Sequence, residues 1–497
     1  MESLSHFKVP WKASLTERSE EQAGDFPDYH LADPESLVCT SRPESFEIGT
    51  GASIYTRSLL PAVLEAEREV ILVTCFWAPS STLSALNETL EKLAAHRCEQ
   101  IRNQNAAGPD VHDLPPLRIR VCFSSRSLFQ KLFHTSSRAG YVYPPSSWPA
   151  KLGLPSQEVL EAGRIDLRAK SLFFFPFSVM HPKFLIIDRR RAFLPSCNVS
   201  WEPWLEGCVE VTGGVINQIM QFYRDVWEND MSDSIGQRGD LNQEGIGLIS
   251  SKPGRIGLTS IQSPATLFKH VDVGETPTIL LPSSHHRNPQ FRLFPWQFST
   301  PPPATPLNYG ILRLLDIAQS AVYMQTPNLT SSAVMDRLLK SLQRRVDVTI
   351  VTSKGMMLLE QIVTAGTTTS LCLKSLIRRY TEAQRRIPTA RTLAPPIDLE
   401  AQDSRLGKLK IFYFRPRSGD PGTRSPEEPV QSHLKLTIVD GQYTVLGSGN
   451  MDRASWFTSQ ELGILFQSAE FATSVRDSVT EILSNRLDIV FDSEAPA

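Results

Sequence analysis

The feature that most constrains this 497-residue chain is an internal repeat. An amphipathic, helix-like stretch beginning at Tyr55 (YTRSLLPAVLEAER) runs straight into a β-rich segment, EVILVTCFW. The same order returns far downstream, where the helix-like run Asn308 to Ser320 leads into AVYMQTPNL. Val70 and Val322 then hold equivalent strand positions, and 111 positions after each stands a histidine, His181 and His433, with no gap needed between the anchors. Each copy carries an intermediate strand (LRIRVCF from Leu117, VDVTIV from Val346) and a further one around Ile165 or Ile411. Each closes with an amphipathic helix: Val215, Ile219, Phe222, Tyr223 and Val226 share one face in the first, Phe471, Val475, Val479, Ile482 and Leu483 in the second. Strands alternating with helices in two copies predict an α/β fold of two lobes, each a mixed β-sheet flanked by helices, packed face to face about a pseudo-twofold axis.

The expected organisation is a polar N-terminal tail over 1–50, a first lobe over 51–230, a linker over 231–305, a second lobe over 306–490 and a short tail over 491–497. The linker is rich in Gly, Ser, Gln and Pro and ends in PPPATP, and a second loop of similar composition, Pro416 to Gln431, precedes the second histidine. With 41% hydrophobic and 21% charged residues the chain has apolar material for large cores. Its longest apolar run, Leu172 to Met180, is interrupted by Pro176 and Ser178 and is too short to span a bilayer. No apolar segment follows a basic start at the N-terminus, so a cytoplasmic address is expected, with any membrane contact peripheral. Seven scattered cysteines without a C-x2-C pair point to buried thiols rather than to disulfides or a zinc site. A formal net charge of -2 lacks the basic excess of a non-specific nucleic-acid binder.

The histidines open two copies of one motif: His181, Lys183 and Asp188 in HPKFLIID, and His433, Lys435 and Asp440 in HLKLTIVD. Asn198 and Asn450 follow ten residues after each aspartate, in PSCN and GSGN, which also hold Ser196 and Ser448. A glutamate comes next, Glu206 or Glu210 in the first copy and Glu461 in the second, with Glu206 preferred because EGCVEV aligns with ELGILF. At ordinary composition one such H-x-K-x4-D arises by chance in roughly 3 of 100 chains of this kind, so two at equivalent places in a repeat are not accidental. Read as strands, the motifs put His and Lys on one face, while the odd offset of the Asp sends it to the other, as suits a structural acceptor. Around a twofold axis the two His-Lys pairs converge on one site. A phosphodiester fits it: one imidazole attacks phosphorus, the other protonates the leaving oxygen, and Lys183, Lys435, Asn198 and Asn450 hold the non-bridging oxygens, so that no metal or other cofactor is required. A glutamate on the far nitrogen of each imidazole would fix its tautomer.

These residues resemble the phospholipase D superfamily, whose duplicated signature reads H-x-K-x4-D followed by G-[GS]-x-N; the resemblance covers roughly residues 50 to 490. It implies a two-lobed α/β fold, a covalent phosphohistidine intermediate, and attack on it by water or an alcohol, with His181 as nucleophile and His433 as general acid, an assignment that the symmetry of the motifs leaves open. The second copy is similar to cardiolipin synthase motifs almost throughout; the first has Pro195 where the pattern has Gly. The expected substrate is therefore a phospholipid, hydrolysed or transferred to an alcohol. The rivals are a nuclease of the same superfamily and a catalytically silent binding protein, the latter disfavoured because both His, both Lys and both Asn are present. Tyrosyl-DNA phosphodiesterases typically lack the aspartate that both copies keep here. Outside the motifs, His285-His286 lacks a neighbouring ligand set, the aromatic runs LFFFPF and FRLFPWQF read as core strands before they read as lipid-facing rims, and the basic stretch Lys374 to Arg391 reads as a solvated helix face before it reads as a site for anionic headgroups.

Overall fold

The computed structural model describes residues 2–107, 114–127, 138–174, 178–199, 202–228, 265–285, 301–386, 405–417 and 427–495. The first half supplies strands β1 (Val38–Thr50), β2 (Glu69–Phe76), β3 (Leu117–Ser125), β4 (Ile165–Ser171), β5 (Phe184–Ile187), β6 (Arg191–Pro195) and β7 (Trp204–Gly213). They pair in the order β1-β7-β6-β5-β2-β3-β4, with β2, β3 and β4 mutually parallel and the other pairs antiparallel. The second half supplies β8 (Thr276–Ser283), β9 (Ala321–Gln325), β10 (Asp347–Ser353), β11 (Leu409–Phe414), β12 (Leu436–Val439), β13 (Tyr443–Gly447), β14 (Glu461–Gln467) and β15 (Leu487–Asp492). Their order, β8-β14-β13-β12-β9-β10-β11-β15, repeats that of the first half and adds one antiparallel strand beyond β11. The sequence repeat is thus a repeat of topology.

Burial explains the near-continuous apolar text of the inner strands. Parallel strands covered on both faces have no solvent side to carry polar residues, and β2 is buried from Glu69 to Cys75. The helices that matter below are α1 (Glu2–Glu17), α2 (Val215–Tyr223), α3 (Pro306–Ile317), α4 (Leu358–Ala365), α5 (Thr369–Arg385), α6 (Arg453–Phe457) and α7 (Ala469–Leu483). Local chemistry starts them where expected: the Thr305 hydroxyl accepts from the Asn308 N–H at 3.2 Å with Pro306 at the first position of α3, and Ser468 caps α7 through the Phe471 N–H at 3.1 Å. Ile311, Leu314 and Leu315 of α3 and Val475, Val479 and Ile482 of α7 are buried in one apolar core.

Two expectations need correction. The polar tail over 1–50 is structured: Phe7, Trp11 and Leu15 of α1 are spaced four apart, are buried, and join the main core, with the Trp11 indole N–H donating to the Pro306 carbonyl at 3.1 Å. Burial of side chains of this size contributes about 1.5 to 3 kcal/mol each. The tail also contains β1, and the linker over 231–305 contains β8, which pairs from Thr278 to Ser283 with β14. The two halves join there, Val38–Ser41 of β1 lying antiparallel to Thr276–Ile279 of β8 in one continuous sheet. Both strands contain prolines, which demote a segment when read from sequence; Pro43 pairs with Val211, and a register shift directly after it skips Glu44. The rest of the linker, 231–264 and 286–300, and residues 418–426 of the second loop lie outside the described residues.

Candidate active site

His181 and His433 do not sit within regular strands. In both copies the ladder begins only after the lysine, at Phe184 in β5 and Leu436 in β12, so the His-x-Lys segment is released from its own half. The histidine backbone instead engages the opposite half: the His181 N–H donates to the Gln460 carbonyl at 2.9 Å and the His433 N–H to the Leu205 carbonyl at 2.8 Å. Each acceptor is the residue just before a glutamate. The consequence is a crossed pair of contacts, His181 Nδ1 to Glu461 Oε2 and His433 Nδ1 to Glu206 Oε1, both 2.7 Å. Exchanging the halves maps one contact onto the other, the relation that a pseudo-twofold axis produces.

The glutamates are themselves fixed. Ser196 donates its hydroxyl to Glu206 and accepts the Gly207 N–H at 2.9 Å; Ser448 donates to Glu461 and accepts the Leu462 N–H at 3.0 Å. Register decides between the two first-half glutamates. Pro195 pairs with Cys208 as Gly447 pairs with Gly463, and two residues before each partner stand Glu206 and Glu461. Glu210 is occupied elsewhere, accepting from Arg191 at 2.8 Å and Ser45 at 3.2 Å. In the second copy the glycine is required, since a Cβ on Gly447 would lie 2.3 Å from the Leu462 carbonyl oxygen; Pro195 stands at the matching position of the first.

Lys183 donates to the His181 carbonyl at 2.9 Å, while the Lys435 ammonium lies 2.7 and 2.9 Å from the two ring nitrogens of His433. Burial, aided by Lys183, lowers the Lys435 amine to about 7. Burial likewise lowers both imidazoles, His433 to about 4, with the charge of Lys435 acting in the same direction and Glu206 against it. On Glu206 burial pushes upward, but His433 and Lys435 outweigh it and hold the carboxyl at about 2; Glu461 is lowered in the same way by His181 and Lys183. At neutral pH both glutamates are carboxylates and both imidazoles are held toward the neutral form; each Nδ1 meets a carboxylate, while His433 Nε2 lies 2.9 Å from the Lys435 nitrogen. Such a site can attack an electrophile with one ring and, once an anion has entered, protonate a leaving group with the other.

The aspartates stand apart from this cluster. Asp188 accepts the N–H groups of Glu67, Arg68 and Glu69 at 3.0, 2.7 and 2.8 Å, and Asp440 those of Gln319, Ser320 and Ala321 at 2.9, 2.8 and 3.0 Å. Both have a left-handed backbone, φ 51° and 53°, at the strand end. They fasten the turn that leads into β2 or β9. The asparagines differ between copies. Asn198 Oδ1 accepts the Cys75 and Phe76 N–H groups, each at 3.2 Å, whereas the position equivalent to Cys75 is Pro327, which has no N–H to give. Asn450 is turned instead toward Asp452, donating to it at 3.1 Å and leaving its own buried Oδ1 without a partner among the described residues.

Sequence reading missed Gln460, which accepts the His181 N–H, Asp452, and Trp204, whose ring lies 4.8 Å from that of His433. Only Trp204 carried a signal, an aromatic residue at the head of the glutamate strand. His285 stacks on Phe174 with ring centroids 4.2 Å apart and pairs with Ser178; His286, Phe175–Phe177 and FRLFPWQF lie outside the described residues. Among the described residues no group of three or more His, Cys, Asp or Glu could hold a metal ion, and no helix is long and apolar enough to cross a membrane.

Residues 311–483 match the family model described as cardiolipin synthase, PLD-like domain. The fold matches that of phosphatidylserine synthase from Haemophilus influenzae Rd KW20 over 96% of this chain and 92% of that one, with a TM-score of 0.52 and 12% identity. The second half is thus similar to phospholipase D-like domains, and the likeness of fold covers both halves. Nuc from Salmonella typhimurium, a phospholipase D family member, matches 37% of this chain and 89% of its own, with a TM-score of 0.24 and 17% identity. A search of curated protein sequences found no match. The doubled topology and the crossed His-Glu pairs build the central cluster from both halves.

Proposed function

We propose that the protein is a phospholipase D-type phosphodiesterase or phosphatidyltransferase acting on phospholipids, with water or an alcohol as acceptor. The observation that carries this reading is the crossed pair of His-Glu contacts, which turns two motifs into one site with two differently usable imidazoles. His181, whose side chain is 14% exposed against 4% for His433, attacks phosphorus through Nε2 while Glu461 supports the positive charge that develops on its ring. His433 protonates the leaving alcohol, its proton held in common with the Lys435 amine, and in the second step takes a proton from the acceptor that releases the phosphohistidine. Lys183, Lys435 and the Asn198 carboxamide stabilise the charge on the non-bridging oxygens. Asp188 and Asp440 act only by holding their turns.

Phospholipid is favoured over nucleic acid by the balanced charge of the chain, -2 overall, because a nuclease groove must neutralise many phosphates along a strand. The test is an assay of the purified protein on mixed phospholipids, with and without an added alcohol, beside single-stranded DNA, in EDTA. Turnover of lipid that survives chelation supports the reading; salt-sensitive cleavage of DNA without lipid turnover replaces it with a nuclease, and activity that returns only with a divalent ion overturns the charge assignment to lysine and asparagine.

A further inference from the structure

An ordinary amphipathic helix turns its apolar side inward; α4 does the reverse. Leu358, Leu359, Ile362 and Val363 are 46, 77, 54 and 56% exposed, and the residue that α4 buries is polar, Gln361. Gln361 is held from within: its amide donates to the Met356 carbonyl at 2.6 Å, and its oxygen accepts the N–H and hydroxyl of Thr369 at 2.6 and 3.0 Å. The helix is therefore anchored by its polar side so that the apolar side stands out. Leu371, 57% exposed, continues the apolar surface onto the first turn of α5, and Lys374 and Arg378 follow it at helical spacing on the same stripe, both exposed. Lys354, also exposed, precedes α4.

The location of α4 gives this surface a meaning. The Thr369 hydroxyl that binds Gln361 also accepts the Leu329 N–H at 3.0 Å, and Leu329 bridges to Met451, the neighbour of Asn450. The Thr330 and Ser331 N–H groups donate to the Met451 carbonyl at 3.0 and 3.1 Å. From the other side Ser353, which ends β10, donates to the carbonyl of Ser432, the residue before His433, at 2.6 Å. The apolar surface is thus braced against both segments that present second-half active-site residues.

From this placement, and resting on the phospholipid reading above, we infer that α4 is a membrane wedge: Leu358, Leu359, Ile362, Val363 and Leu371 enter the acyl region of a bilayer while Lys374 and Arg378 meet anionic headgroups. The match is one of charge as well as of apolarity, since an apolar tip followed by a basic stripe is what an anionic bilayer surface complements. Of the basic stretch singled out in the sequence, Arg379 is tied to Asp336 at 2.8 Å, Arg378 reaches Glu382 only at 3.9 Å, the exposed Arg385 and Arg386 lie at the far end of α5, and residues from 387 lie outside the described residues; Lys374 and Arg378, which follow Leu371 directly on its stripe, are the residues for the test.

The experiment is co-sedimentation of the full chain with phosphatidylcholine vesicles with and without phosphatidylglycerol, comparing wild type with Leu359→Ser/Ile362→Ser and with Lys374→Gln/Arg378→Gln, alongside turnover of a short-chain soluble phospholipid. The apolar double variant is expected to lose about 100-fold in binding to both kinds of vesicle, and the basic one about tenfold, only on anionic vesicles and only at low salt. The substituted side chains are exposed, so the fold and soluble-lipid turnover are expected to persist. Vesicle binding of the apolar variant equal to wild type overturns the inference, as does a wild-type dimer that the same substitutions dissociate while vesicle binding is unchanged. Soluble-lipid turnover without vesicle binding defeats the wedge and leaves the substrate reading standing; α4-dependent vesicle binding with cleavage of DNA alone does the opposite.

Discussion

The two copies of the motif are alike where the backbone decides and different where the chemistry is done. Both histidines hook the opposite half by their N–H, both meet a glutamate at 2.7 Å, and both aspartates take three consecutive backbone donors. Yet Lys183 leans on a carbonyl while Lys435 crowds an imidazole, and Asn198 is clamped by two backbone amides, one of which Pro327 denies to Asn450. A duplicated scaffold needs only to be repeated, whereas in the proposed mechanism the two imidazoles act in turn, one as nucleophile toward phosphorus and one as acid toward oxygen, and different surroundings suit those two tasks. Small departures such as one proline in place of a residue with an N–H suffice to separate them.

The largest effect tests what the halves share. His181→Asn and His433→Asn are each expected to lower kcat/KM by about a thousandfold or more, with the double variant no worse than either single one, since both act in one site. Two independent sites would instead leave about half the activity in each single variant. A smaller effect tests the crossing. Glu461→Gln should slow attack and Glu206→Gln should slow leaving-group departure, each by about a hundredfold, so that only the second penalty shrinks with substrates whose leaving group needs no proton. Equal shrinkage for both would mean that the roles are not divided as proposed.

The lysines sharpen the comparison through pH. The Lys435 amine, lowered to about 7 by burial, loses its charge as pH rises through that value in the free enzyme, so kcat/KM should fall above about pH 7. A bound phosphodiester favours the charged amine, which places the corresponding limb of kcat at higher pH. Lys435→Arg should move the kcat/KM limb upward, whatever it costs in rate, and Lys183→Arg should leave it in place; a limb unmoved by the first substitution assigns it to another group. The smallest effect concerns the amides: Asn198→Ala is expected to cost about tenfold in kcat/KM and Asn450→Ala only about twofold, because Asn450 is engaged by Asp452. The reverse order would make Asn450 the phosphate ligand.

Much of this was legible from one register. The 111-residue spacing located both motifs and the equivalent strands around them, because a repeat that buries the same face twice must repeat its apolar text. The strands that close each half were not legible: β1 reads VCTSRPESFEIGT, in which proline, serine and two glutamates hide a strand whose Glu47 is buried against Ser58. The α1 face of Phe7, Trp11 and Leu15 did carry a signal, but Pro10 in its middle argued against a helix. In the site, the His-Lys pairing followed from spacing, whereas the crossing of the glutamates depends on how the two halves dock, and no local pattern records that. The inverted face of α4 was invisible for a related reason, since periodicity shows that a helix has an apolar side without showing which way it turns.

The crossing also sets a timetable. His181 is separated by 280 residues from the glutamate that orients it, so during synthesis the first half can fold while its histidine has no partner. His433, by contrast, emerges after its glutamate, which precedes it by 227 residues. A ribosome-bound chain therefore carries no completed pair of crossed His-Glu contacts until the strand bearing Glu461 has left the exit tunnel and docked. The central cluster is thus completed in one late event and is not assembled motif by motif.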